Sequence, residues 1–241
     1  MRTHRKPLTA AALAAALLLT TACTGDGDGR GDRDRDSGRD RPGRSQQSER
    51  SEHGAGGPAL AAVGELAVKG RAPKNGYERA AFGRAWADVD RNGCGTRDDI
   101  LKRDLTGVAF KDGDCKVASG ALVDDPYTGH RVAFVRGRSK VDIDHVVALS
   151  DAWQKGAQKW DRGKRLRFAN DPLNLLAVDA ATNRRKGDGD TATWLPPNKE
   201  YRCAYVARQV AVKRKYGLWV TRGEQDAMRR VLGRCPEQRL P

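Results

Sequence analysis

The sequence predicts an α+β fold, mostly helical around a small β-hairpin and sheet, confined to residues 58–241. Three observations carry that reading. Short β-type apolar runs crowd the middle of the chain, and helix-period runs flank them on both sides. A polar, glycine-rich stretch from Thr24 to Gly57 divides this region from the N-terminus. The roughly 180 residues beyond it suffice for one domain with its own core.

Taken in order, Tyr77 to Ala87 places Tyr77, Ala81, Phe82, Ala85 and Trp86 on one face at helical spacing. A second helix follows in TRDDILKRDL, capped by Thr96 with acids in its first turn. From Val108 the pattern turns to strands in VAF, CKVASGALV and HRVAFVRG, and the turn-forming DDPYTG joins the last two as a hairpin. KVDIDHVVAL reads as a further strand leading into His145. SDAWQKGAQKW and RGKRLRFA read as helices, LNLLAV as a brief strand and DAATNRRKG as a short helix. TWLPPNKEY is a rigid connector, and two longer helices, Tyr201 to Tyr216 and Thr221 to Leu232, close the chain.

The N-terminus reads as a targeting segment. Arg2, Arg5 and Lys6 precede an apolar run from Leu8 to Leu19, which is too short to span a bilayer but suits an export signal over residues 1–22. LTTAC resembles a lipoprotein signal with Cys23 as the lipidated residue, although Thr20 stands where leucine is usual. Residues 23–57 then form a Gly/Asp/Arg/Ser-rich tether that cannot bury enough apolar surface to order itself. As a flexible chain it reaches about 30 Å. His53 falls there and is set aside as a ligand.

An exported chain meets an oxidising compartment, where cysteines pair. Beyond Cys23 four remain, as two sequence-local pairs, Cys94 with Cys115 and Cys203 with Cys235, though four cysteines allow three connectivities. Each such loop contributes roughly 3 kcal/mol. No Cys-x-x-Cys occurs, which disfavours a zinc knuckle, and no His-Glu-x-x-His occurs, which disfavours a zinc peptidase. The formal charge is +14, and the tether is nearly neutral with seven arginines against eight acids. The basicity therefore belongs to the folded part and suits a polyanionic partner: nucleic acid, a teichoic-type polymer or acidic lipid headgroups.

Four polar residues stand at informative places. Asp144 and His145 close one strand, Asn174 in DPLNLLAV opens the next, and Asn183 lies on the short helix after it. The segment resembles the HNH endonuclease motif, which is built on a ββα-metal core. The likeness is greatest to secreted actinobacterial HNH-family proteins and to the C-terminal domain of GmrSD-type restriction enzymes. It is also similar to the HNH domains of CRISPR effectors, which read Asp-x-Asp-His, then Asn, then a second Asn nine residues later followed by Lys. Here that pattern is Asp142-x-Asp144-His145, Asn174, Asn183 and Lys186. Two positions depart from it: alanine replaces the proline common after the histidine's strand, and Asn183 stands for the final histidine.

The residue types suit phosphodiester hydrolysis, which needs an activated water and a cation at the developing charge. A neutral His145 takes a proton from water near pH 7, and at its ordinary pKa of about 6.5 the rate falls below roughly pH 6. Asp144 and Asn183 are hard oxygen ligands for hydrated Mg²⁺, or Mn²⁺, rather than zinc. The resemblance implies that Asn174 holds the loop that orients His145. It also puts Arg184, Arg185 and Lys186 at the edge of the site as phosphate contacts, with Lys140 and Arg138 extending that rim. Asp142 shares a strand face with Asp144, His130 reads as a strand-edge surface residue, and the five tryptophans as packing.

These readings converge on an exported, lipid-anchored, monomeric HNH-type nuclease. It would cut DNA, and RNA as a second substrate, with little sequence specificity, and a protein inhibitor is a further partner to expect. The competing class is a non-catalytic cationic lipoprotein that grips cell-wall polyanions or extracellular nucleic acid. It uses the same charge and needs neither Asp144, Asn183 nor metal.

Overall fold

The computed structural model describes residues 58–241. The signal, Cys23 and the tether lie outside the described residues. The chain runs α1 (Ala59–Glu65), α2 (Thr96–Asp104), β1 (Thr106–Phe110), β2 (Val117–Leu122), β3 (Val132–Val135), β4 (Val141–His145), α3 (Leu149–Gln154) and α4 (Arg162–Ala169). It continues with β5 (Leu175–Asp179), α5 (Ala180–Lys186), α6 (Arg202–Tyr216) and α7 (Arg222–Leu232). β1, β2 and β3 form an antiparallel sheet in that order, while β4 and β5 pair antiparallel as a separate two-stranded sheet. The class is α+β, as the sequence predicts.

The β4–β5 pair is buried on both faces, which explains the unbroken apolar run in β5. Leu175 and Ala177 point with Val141 and Ile143 into a core shared with α2 and the three-stranded sheet. Leu176 and Val178 point the other way, into a core built by α1, α6 and α7. A third core gathers Phe82, Trp153, Phe168 and Tyr216 around α3 and α4. Polar residues on so enclosed a sheet must find partners or function, and β4 carries Asp142, Asp144 and His145.

Two expectations change. The helix expected over Tyr77 to Ala87 is a single 3-10 turn, Arg79–Phe82. It stops at Gly83, whose φ is +82° and where a Cβ would lie 2.8 Å from Leu166 of α4; a helix cannot continue through that conformation. Thr96 is not the cap of α2. Gly95 takes that place, and the Thr96 hydroxyl donates to the carbonyl of Ala87 instead. α1 is an added element, too short for its periodicity to signal, and it buries Ala59, Ala62 and Val63.

Both expected disulfides form, Cys94–Cys115 and Cys203–Cys235, the second joining the start of α6 to the residue chain just past α7. α6 ends at Gly217 in the left-handed region (φ +68°), where the N–H groups of Gly217 and Leu218 close onto the last carbonyls. A buried ion cluster ties α3, α6 and α7 together. Lys155 bonds Asp151 (2.7 Å), Asp190 (2.8 Å) and Glu224 (2.6 Å), and Lys213 bonds Asp151 (3.2 Å) and Glu224 (2.9 Å). No helix among the described residues is long and apolar enough to cross a membrane.

Candidate active site

α5 starts directly where β5 ends, with the Asp179 carboxylate capping it by accepting from the Thr182 N–H. That tight strand-to-helix turn returns α5 across the β4–β5 pair. As a result Asp144, His145 and Asn183 line one cleft of about 650 Å³, together with Asp142, Ser150 and Asp188. Three of the expected site residues thus share this cleft, while Asn174 does not line it.

His145 is buried and held from several sides. Its Nε2 lies 2.8 Å from the carbonyl oxygen of Ala169 at the end of α4, and its ring stacks on Trp86 at 6.2 Å and 17°. A carbonyl only accepts, so Nε2 carries the proton and Nδ1 keeps the lone pair. Burial drives the pKa of His145 down to about 3, against the opposing pull of the Ala169 carbonyl. This corrects the expected loss of a neutral imidazole below roughly pH 6: burial keeps the ring neutral well below that pH.

Asn174 knits the chain just beyond His145. Its Oδ1 accepts from the Val147 N–H (2.8 Å), its Nδ2 donates to the Val147 carbonyl (3.3 Å), and its own carbonyl accepts from the Val146 N–H (2.8 Å). Asn174 is fully buried, so removing its amide would strand these polar groups.

Asp144 is also buried. It accepts from the Lys186 ammonium at 3.0 Å and from the Tyr127 hydroxyl. Burial raises its pKa, and Lys186 and Tyr127 only partly offset that. Tyr127 reaches it from the DDPYTG turn. That turn is anchored by Asp125, which accepts from Thr128 on one side and from the Asp179 N–H (2.9 Å) on the other.

A family model for the C-terminal domain of GmrSD restriction endonucleases matches residues 95–231, more than half of the chain. This chain belongs to the GmrSD C-terminal domain family. A protein of Arthroderma benhamiae described as an uncharacterized secreted protein is 40% identical over 172 residues, covering 70% of this chain and 81% of that protein. The secreted relative and the two disulfides are consistent with export. The matched span of this GmrSD-family domain contains Asp144, His145, Asn174 and Asn183.

The basic residues divide differently from the expected rim. Lys186 is no phosphate contact: its side chain is fully buried, its ammonium held by Asp144 and by the His145 carbonyl at 2.9 Å. Arg184 is exposed at the edge, 3.9 Å from Asp142. Arg185, Arg138 and Lys140 line a separate groove, which His130 also borders. The cations that line the cleft are Lys74, Arg79 and Arg97. Lys74 comes from a turn, Arg79 from the 3-10 turn and Arg97 from the start of α2, so no basic run in the sequence marks them. The stack of Trp86 on His145, and of Arg97 over Trp86 at 5.7 Å, had no signal in spacing at all.

Proposed function

We propose that this GmrSD-family chain is an exported, metal-dependent endonuclease of the HNH type, acting on DNA and also on RNA with little sequence specificity. The observation that carries the reading is the convergence of Asp144, His145 and Asn183 on one cleft bordered by Lys74, Arg79 and Arg97. In this reading His145 is the general base. With Nε2–H committed to Ala169, Nδ1 is the ring atom free to take a proton. As Nδ1 takes the proton, the water oxygen forms the new bond to phosphorus and the bond to the 3′ oxygen breaks. That oxygen takes a proton from solvent and leaves as a 3′-hydroxyl, and a 5′-phosphate end remains. Asn174 acts as a positioning residue by fixing the backbone beyond His145.

The donor set fits a hard divalent cation. Asp144 offers a carboxylate and Asn183 an amide oxygen in the same cleft, which suits Mg²⁺, or Mn²⁺, better than zinc. Among the described residues no three His, Cys, Asp or Glu side chains gather into a ready-made cage, and an ion that keeps several waters does not need one. When bound there, the cation would supply positive charge at the phosphate and at the leaving oxygen. Lys186 bonds one Asp144 oxygen and Tyr127 the other, which fixes the carboxylate in place. The cleft cations hold substrate phosphates. A lipid on Cys23 would keep the enzyme at the outer face of a membrane.

Nicking of supercoiled plasmid in Mg²⁺ by the wild type and by His145→Ala tests the proposal. The wild type nicks and the variant loses at least about a hundredfold in rate. Equal rates overturn the role of His145. Nucleic-acid binding that survives chelator, without cleavage in any divalent cation, favours the non-catalytic binder.

A further inference from the structure

We infer that a second groove, on the far side of α5 from the active-site cleft, holds the nucleic-acid backbone beyond the cleavage point. The inference rests on the nuclease reading of the cleft and extends it. The groove measures about 630 Å³ and lies where the β3 edge of the three-stranded sheet meets β4 and α5. Arg131, Arg138, Lys140 and Arg185 line it. Among the described residues none of these four pairs with a carboxylate, whereas the cleft's Lys74 is bonded to Asp188. The single acid in its wall, Asp179, is engaged as the cap of α5.

Outward-facing positions on β3 alternate with the core residues Val132 and Phe134. Those outward positions, Ala133 and Val135, line the groove, and Arg131 stands at its wall immediately before the strand. Arg185 is steadied, donating to the buried Thr182 hydroxyl at 2.8 Å. A solvated surface would leave such cations scattered; here they share one concave wall with a net positive charge.

The occupant follows from placement. Asn183 lines the cleft and Arg185 lines the groove, and residues two apart lie on nearly opposite sides of a helix. The two sites are thus separated by about one helix diameter, roughly 10 Å. That is about three base-pair steps along the axis of a duplex at 3.4 Å each. A backbone leaving the cleft across α5 reaches the groove about three nucleotides away, whereas a mononucleotide-sized diester never does.

The test compares the full-length chain with its Arg131→Gln/Arg138→Gln variant on a 30-base-pair duplex and on bis(p-nitrophenyl) phosphate. Duplex binding in EDTA is measured in parallel across a salt series. For the duplex, the variant raises KM roughly tenfold with kcat unchanged. Its salt slope falls by about 1.8, at 0.9 per lost phosphate contact. Turnover of the small diester is the same in both proteins. Equal affinity and equal slope for the duplex overturn the groove, as does a loss confined to an acidic polypeptide such as polyglutamate. If neither protein cleaves anything but the variant still loses duplex binding and slope, the groove stands and the nuclease reading falls.

Discussion

The Nε2 of His145 lies 2.8 Å from the carbonyl oxygen of Ala169, and that bond decides which ring nitrogen is basic. It also suggests a substitution that separates position from chemistry. His145→Asn retains an amide donor near Ala169 but has no base of useful strength. Plasmid nicking by this variant should fall by about 10²- to 10⁴-fold, the usual contribution of a general base, while circular dichroism stays native. Activity within threefold of wild type would show that the imidazole is not the proton acceptor.

The pH dependence follows from burial. Folding lowers His145 from its ordinary value to about 3. Between about pH 6.5 and 3 the unfolded chain therefore binds a proton that the native chain refuses. That contribution is complete above about pH 6.5 and is lost as the pH falls towards 3. Burial pushes Asp151 and Asp190 up, but Lys213 and Lys155 outweigh it and hold both below the usual carboxylate range; they too lose stabilisation in acid. Asp144, raised by burial, opposes this by taking up its proton earlier in the native state. Urea midpoints of the wild type should drop between pH 7 and pH 4.5, and His145→Asn should flatten that drop. Superimposable profiles would remove His145 from the linkage. Over pH 5.5 to 7 the cleavage rate should show no acid limb from this residue.

Lys186 was expected on the phosphate rim and instead sits beneath the site, bonded to Asp144 and to the His145 carbonyl. Lys186→Met keeps the length of the side chain and removes the charge. Asp144 would then be a buried carboxylate supported by Tyr127 alone among its present partners, and removing one member of a buried pair typically costs about 3–5 kcal/mol. The chemical-denaturation midpoint should fall accordingly, and the Mg²⁺ concentration for half-maximal nicking should rise several-fold as Asp144 holds its proton more tightly. A variant with unchanged stability but weaker duplex binding would return Lys186 to the role of phosphate contact.

What the sequence disclosed and what it hid have separate physical origins. β4 and α5 were legible because period-2 and short helical patterns survive in contiguous residues, and β5 because a short apolar run bounded by turn residues reads as a buried strand. Asp144, His145 and Asn183 ride on β4 and α5, and Asn174 immediately precedes β5. The same local logic failed for Tyr77 to Ala87. Its apolar spacing is helical, but Gly83 meets Leu166 from an element far along the chain, and only tertiary contact reveals that the helix must stop. Lys186 reads as one of three consecutive basic residues. One turn of α5 sends Arg184 and Arg185 outward and Lys186 to Asp144, a distinction of direction that composition cannot carry. Tyr127 lies in a turn and bonds a residue on another sheet, so no spacing rule could have found it.

The buried cluster around Lys155 supplies the last prediction. Its ammonium is fully enclosed and contacts Asp151, Asp190 and Glu224, while Lys213 contacts Asp151 and Glu224 and Arg71 contacts Asp151 and Asp190. Three cations thus face three acids, and the balance holds only while every member is present. Lys155→Met leaves the acids in excess within a space closed to water, so the loss should be about 3–5 kcal/mol, comparable to breaking other buried pairs. The fold should lose stability without moving the active site: α3 carries Ser150 on the cleft wall, but His145 is held separately through Ala169 and Trp86. A lowered urea midpoint with an unchanged pH–rate profile is the expected result. An unchanged midpoint would mean that the acids rearrange or take up protons freely, and that α3, α6 and α7 are joined by apolar contact alone.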